Sequence, residues 1–275
     1  MQTLVNEGYL SIGDMRLEYQ LIDGKPVGAP MIIMLHEGLG SARTWGEFPR
    51  LLSEATGASA FAYSRDGYGS SPLARHELPV DYIRRHALDV LPHILDEIGF
   101  KTGILLGHSD GASMAAAYAG NVDDPRVRGL VLMAPHFCVE EETLAEIRHA
   151  KAAFEGGGLR RRLARYHADV DAAFLRWNNV WLDPRFPAFD MTAELSNIRI
   201  PTLIIRGDDD RYGTHKQVRM AEQLLRGAPK TLLMPNCGHI PHREKLVQTV
   251  AAIAAFCKPL FRLQPDDRSV TADQN

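Results

Sequence analysis

Two kinds of hydrophobic pattern alternate along the chain. Short apolar runs with no polar face, PMIIML (30–35), ASAFAYS (58–64), GILLG (103–107), RGLVLMA (128–134), PTLIIRG (201–207) and KTLLMP (230–235), predict strands buried on both sides. Between them the apolar positions recur at a helical period, over 45–55, 81–98, 112–119, 217–225 and 245–256. Strands alternating with helices predict an α/β domain, a mainly parallel central sheet flanked by helices. Ahead of this set, YLSIGDMRLEYQLI (9–22) alternates about Gly13-Asp14 and predicts a hairpin. One interval breaks the rhythm. Between 134 and 201 only helical patterns occur, over 140–154, 159–166 and 168–181, with EGGG (155–158) dividing the first two. The expected organisation is a core of 1–134 and 200–259, a helical insertion of 135–199 after the sixth strand, and a loose polar tail of 260–275.

At 275 residues the chain is long enough for one large domain with an insertion, and 45% hydrophobic and 24% charged residues are ordinary globular values. A net charge of −3 offers no basic face for nucleic acid. No apolar run is long enough to cross a bilayer, and the opening MQTLVNEGYLSIGD lacks the features of an export signal. Cys138, Cys237 and Cys257 are too few and too scattered for a disulfide framework. The expectation is a reduced, cytoplasmic protein without nucleic-acid or membrane partners, with self-association left open. No glycine-rich nucleotide motif occurs, so no cofactor is expected. Cys237, His239 and His242 have no second pair at metal-site spacing, so no metal is expected either.

The candidate chemistry starts at GHSDG (107–111), where a buried strand pattern gives way to a run of small helix formers. A serine between two glycines at a strand-to-helix turn has the character of a nucleophile elbow, which exposes the Ser109 hydroxyl and aims the Asp110 amide at a reacting carbonyl. A serine hydroxyl needs a base, and the base needs an orienting group. His239, after the last strand and before the last helix, is the candidate base, with His242 as competitor. An acid from Asp208, Asp209 or Asp210, after the strand ending near Arg206, completes a Ser…Asp…His order along the chain.

With these residues in place, 9–256 resembles the α/β-hydrolase fold superfamily, and most of all its small capped serine hydrolases, which include meta-cleavage-product hydrolases, enol-lactonases and carboxylesterases. LHEGLGSARTW, SRDGYGSS, GHSDG, GDDD and GHIPHRE match the family's segments in order. The resemblance implies the α/β-hydrolase fold and a helical cap over the site. It selects Asp210 as the acid, with Asp209 in reserve, and places the second oxyanion amide at Gly38, with Leu39 the alternative. Two departures stand out. Glu37 occupies a position where the family has glycine. A carboxylate facing an oxyanion hole would repel the charge the hole stabilises, so the Glu37 side chain is expected to turn away toward Arg43 or Arg65, a pocket role being the alternative. Ser64 and Asp66 also replace the family's usual Asp and Gly.

The function this implies is hydrolysis of a small acyl substrate, an ester or lactone, through an acyl-enzyme on Ser109. Carbon–carbon bond hydrolysis of a vinylogous diketone is the alternative, and a non-hydrolytic binding protein or a cofactor-independent lyase or oxygenase is the alternative of another class. Serine at the elbow argues against the aspartate-dependent dehalogenases and epoxide hydrolases of this fold. His136 and Phe137 follow the sixth strand and are expected at the pocket. Trp177 and Trp181, four apart on one helix face, line the pocket or pack the cap onto the body. The arginines of LRRRLARYH, Arg160, Arg161, Arg162 and Arg165, form either a solvated helix face or a pocket wall that attracts a carboxylate.

Overall fold

The computed structural model describes residues 5–74, 77–227 and 229–262. Eight strands form one sheet: β1 (Val5–Ile12), β2 (Met15–Ile22), β3 (Met31–Leu35), β4 (Ser59–Tyr63), β5 (Gly103–His108), β6 (Val127–Met133), β7 (Thr202–Gly207) and β8 (Lys230–Met234). Their spatial order is β1-β2-β4-β3-β5-β6-β7-β8. β1 and β2 form the expected hairpin, β2 runs antiparallel to β4, and every later pairing is parallel. This is the α/β-hydrolase fold.

The central strands read as unbroken apolar runs because both faces are covered. Ile33, Leu35 and Leu105 belong to one core layer, while Ile32, Met34 and Leu106 belong to the other. The parallel strands end together at one edge, so the loops after β3, β5, β6, β7 and β8 share one rim, where ligands bind in open α/β sheets.

Several helices differ from their sequence expectation. The period over 81–98 is a continuous helical stretch with a π-helical turn at His86–Val90 between Tyr82–Arg85 and Leu91–Glu97. Pro92 lacks the N–H that would close the regular ladder, which accounts for a register change there. The period over 45–55 is a 3-10 turn, Ala42–Trp45, followed by a helix, Phe48–Thr56. The last helix, Leu246–Arg262, runs three residues into the stretch assigned to the tail. It does so because Leu260 is buried against Gly129. The rest of that stretch, 263–275, lies outside the described residues.

The three helical patterns of the insertion are helices Glu141–Glu155, Gly158–Leu163 and Val170–Trp181. A 3-10 turn, Phe186–Ala188, and a helix, Thr192–Asn197, carry the chain back to β7. No described helix is long and apolar enough to cross a membrane.

Candidate active site

Ser109 sits between β5 and helix Asp110–Asn121 with φ 52° and ψ −119°. A side chain seldom adopts that backbone, and such strain persists only where the surroundings enforce it. Here the Ser109 N–H donates to the Met133 carbonyl at 2.9 Å, and its carbonyl accepts from Ala112 N–H at 2.9 Å. Gly111 makes the approach feasible: a Cβ there would overlap the Leu35 and His36 carbonyls. The helix start therefore lies against the loop leaving β3. As the first residue of its helix, Asp110 has an N–H with no intrahelical acceptor. Its carboxyl turns into the protein, takes a hydrogen bond from Tyr82, and is pushed up in pKa by burial.

The loop after β3 is held by groups that no motif announces. The Glu37 carbonyl accepts from His36 Nδ1 at 2.7 Å, Arg65 Nη2 at 2.9 Å and Gly40 N–H at 3.1 Å. Arg65 Nη1 also donates to the His36 carbonyl, and the Arg65 N–H donates to His36 Nε2. His36 is thereby fixed as the Nδ1-protonated neutral tautomer, and burial followed by the Arg65 charge holds its pKa well below the ordinary value. In a trans peptide the N–H points opposite to the C=O. The Gly38 N–H, which shares its peptide with the Glu37 carbonyl, is therefore aimed away from Arg65, and Gly38 lines the cavity described below. The neighbouring Leu39 is fastened from the cap, since His167 Nε2 lies 2.9 Å from its carbonyl.

Glu37 departs from the favoured expectation and takes the alternative placement, at the pocket. Its side chain goes neither to Arg43 nor to Arg65; Oε2 lies 3.5 Å from His108 Nδ1 and the carboxylate lines the cavity. Arg65 is unavailable because its guanidinium is already donating to two backbone carbonyls. Burial acts to raise the Glu37 pKa, but the interaction with His108 outweighs it and holds the carboxyl below its usual range.

His239 and Asp210 meet directly, with Nδ1 2.9 Å from Oδ1. The Tyr212 N–H donates to the same Oδ1 at 2.9 Å, and Arg206 Nη2 lies 3.1 Å from Oδ2. Burial opposes ionisation of Asp210, but His239 and Arg206 prevail and hold its pKa below the carboxylate range. Asp208 and Asp209 are exposed, and Asp210, not the reserve Asp209, is the aspartate that meets His239. The His239 loop is clamped twice. His108 Nε2 lies 2.7 Å from the His239 carbonyl, and the Glu244 carboxylate accepts from Gly238 N–H and Ile240 N–H at 2.7 and 3.0 Å. His242 is instead a buried core group beside Trp45 and Phe48, kept neutral by burial. Ser109 and His239 line one cavity, but no hydrogen bond joins them among the described residues. That contact is commonly long in ligand-free sites and tightens with substrate bound.

The cavity has a volume of about 400 Å³. Its floor includes Ser109, Gly38, Glu37, His136 and His239, while Ile147, Leu159, Leu163, Trp177 and Trp181 come from the insertion. Burial and the His239 charge lower the His136 pKa to about 3, so this ring is neutral and supplies no second base near neutral pH. Trp177 lies directly on the oxyanion loop, since a Cβ at Gly38 would overlap its indole. Trp181 donates to Tyr82 at 3.0 Å. Phe137 is a correction: it is fully buried in the core and absent from the cavity wall, because its N–H is tied to Gln217 Oε1 at 2.7 Å. Among the described residues, no three His, Cys, Asp or Glu side chains are placed to hold a metal ion.

A proline iminopeptidase of Lactobacillus delbrueckii subsp. lactis is 25% identical over 128 residues, 46% of this chain, and the match spans only 43% of that relative's length. One from Lactobacillus helveticus is 21% identical over 273 residues, covering 86% of this chain and 92% of its own. Among solved structures, the enol-lactonase of Burkholderia xenovorans superposes with a TM-score of 0.71 at 20% identity, over 90% of this chain and 99% of the other. The model of the alpha/beta hydrolase family matches residues 32–253, which includes every position of the candidate triad and oxyanion loop, and the chain therefore belongs to the alpha/beta hydrolase family.

Proposed function

We propose that the chain is a serine hydrolase that cleaves a small ester or lactone through an acyl-enzyme. The observation that carries this reading is the buried Asp210–His239 pair sharing one cavity with a serine held at positive φ. His239 Nε2 takes the Ser109 proton as Oγ attacks the acyl carbon, and Asp210 stabilises the imidazolium through Nδ1. The oxyanion is held by the amides of Asp110 and Gly38, each donor contributing roughly 3 kcal/mol to the transition state. His239 then gives its proton to the leaving alkoxide, and the ester oxygen departs as an alcohol. Water, deprotonated by His239, attacks the acyl-serine; collapse of the second tetrahedral intermediate returns the proton to Ser109 and releases the acid.

A fluorophosphonate probe and p-nitrophenyl butyrate test this together. Covalent labelling of Ser109, and loss of esterase activity by about four orders of magnitude or more in Ser109→Ala, are expected. Esterase activity that survives in Ser109→Ala would end the proposal. Turnover of prolyl p-nitroanilide in place of esters would move the chain toward the iminopeptidases.

A further inference from the structure

Of the four arginines in LRRRLARYH, Arg160 is committed elsewhere, its guanidinium forked onto the Asp171 carboxylate at 2.7 and 2.6 Å. Arg162 and Arg165, on the next turn and just past it, line the cavity instead. Arg243 reaches the same cavity from the opposite side, four residues after His239, and is steadied there by donating to the Thr44 carbonyl. All three are exposed, so they stand at the cavity's mouth. Among the described residues none of the three has a carboxylate within ion-pair distance, although Arg50, Arg85, Arg126, Arg148 and Arg185 all do.

The acidic groups of the cavity are paired with other residues. Glu37 is engaged by His108, and the Asp110 carboxyl takes the Tyr82 hydroxyl. Three like charges on two separate elements thus stand at one cavity with no carboxylate in ion-pair distance among the described residues, and an anion from outside would relieve their mutual repulsion. The same cavity is lined by the apolar Leu159, Leu163 and Ile240 together with Tyr212.

We propose that the substrate carries an anionic oxygen group, a carboxylate or a phosphate, at the end remote from its scissile acyl bond, and that Arg162, Arg165 and Arg243 hold that group at the mouth. A guanidinium presents paired N–H donors that match either anion. The apolar wall would accommodate the carbon chain between the anion and the ester. The inference rests on the serine-hydrolase reading and names the class of substrate for it.

The test compares mono-p-nitrophenyl adipate with p-nitrophenyl hexanoate, and adds a phosphate-terminated ester of matched length to tell the two anions apart. The wild-type chain is expected to favour one anionic ester by about tenfold or more in kcat/KM at low salt, with the preference shrinking as salt screens the charges. Arg162→Gln with Arg165→Gln should bring the ratio toward unity, and Arg243→Gln should lower it further. Arg160→Gln should retain the wild-type ratio, which separates the cavity arginines from net charge alone. Hydrolysis of the neutral ester with no preference for either anionic one, or a preference that persists in the triple variant, overturns this inference and leaves the hydrolase reading standing. Hydrolysis of none of the three, with no probe on Ser109, removes both.

Discussion

The floor and the roof of the cavity are built on different terms. On the floor each functional group is held by several fixed partners. The Glu37–Gly38 peptide is gripped by three donors at its carbonyl. Asp210 is held by His239, Tyr212 and Arg206, and the loop carrying His239 is held by His108 and Glu244. The roof offers apolar side chains, a Trp177 indole N–H without a hydrogen-bond partner among the described residues, and arginines reaching into solvent. Groups that must meet a transition state to within a fraction of an ångström need such over-determination. Groups that choose a substrate need shape and charge, which few fixed bonds can supply. On the function proposed above, chemistry and selectivity would be separable properties of one cavity.

That separation can be attacked from the floor upward. Asp210→Asn keeps the shape but removes the charge that fixes the His239 tautomer, and kcat/KM for a neutral ester should fall by about 10⁴-fold. A loss below tenfold, with melting unchanged, would show that Asp210 does not orient the base. Arg65→Met removes two donors from the oxyanion loop without touching the cavity. It should lower kcat by about ten- to a hundredfold with KM nearly constant, since a misaligned amide weakens only the transition state; a change confined to KM would return Arg65 to a purely structural role. On the roof, Leu163→Ala should leave kcat within about threefold and raise KM for long acyl chains by about three- to tenfold, in line with the loss of a few buried methylenes. A collapse of kcat in this last variant would erase the distinction between the two surfaces.

The fold was legible because burial on both faces writes a strand as an uninterrupted apolar run, and six such runs with helices between them leave few topologies. Ser109, Asp210 and His239 were legible for a related reason: each follows the end of a strand, and the chain order alone suggests that they share a rim. The groups that hold them were not. His108 and Arg65 carry no periodic signal, and their partners lie 131 and 28 residues away. Arg206 left one trace, an arginine closing the otherwise apolar PTLIIRG, which is an expensive residue to bury without a carboxylate to meet it. The favoured direction of Glu37, toward Arg43 or Arg65, was misread because the repulsion expected from an oxyanion hole does not reveal that the Arg65 guanidinium is already engaged by carbonyls. Phe137 was misplaced for want of Gln217, whose side chain draws that backbone into the core.

Glu140, where the chain leaves the sheet for the cap, has a mechanical consequence. Its carboxylate accepts from the Thr214 hydroxyl and amide at 2.5 and 3.1 Å and from Gln217 Nε2 at 2.6 Å. Thr214 is two residues beyond Tyr212, whose amide steadies Asp210, and Arg206 ties the intervening Gly213 carbonyl to the same cluster. The segment leaving the sheet for the helical insertion and the groups steadying Asp210 thus belong to one hydrogen-bonded cluster. On the reading proposed above, any displacement of helix Glu141–Glu155 would therefore be felt at the carboxylate that meets His239.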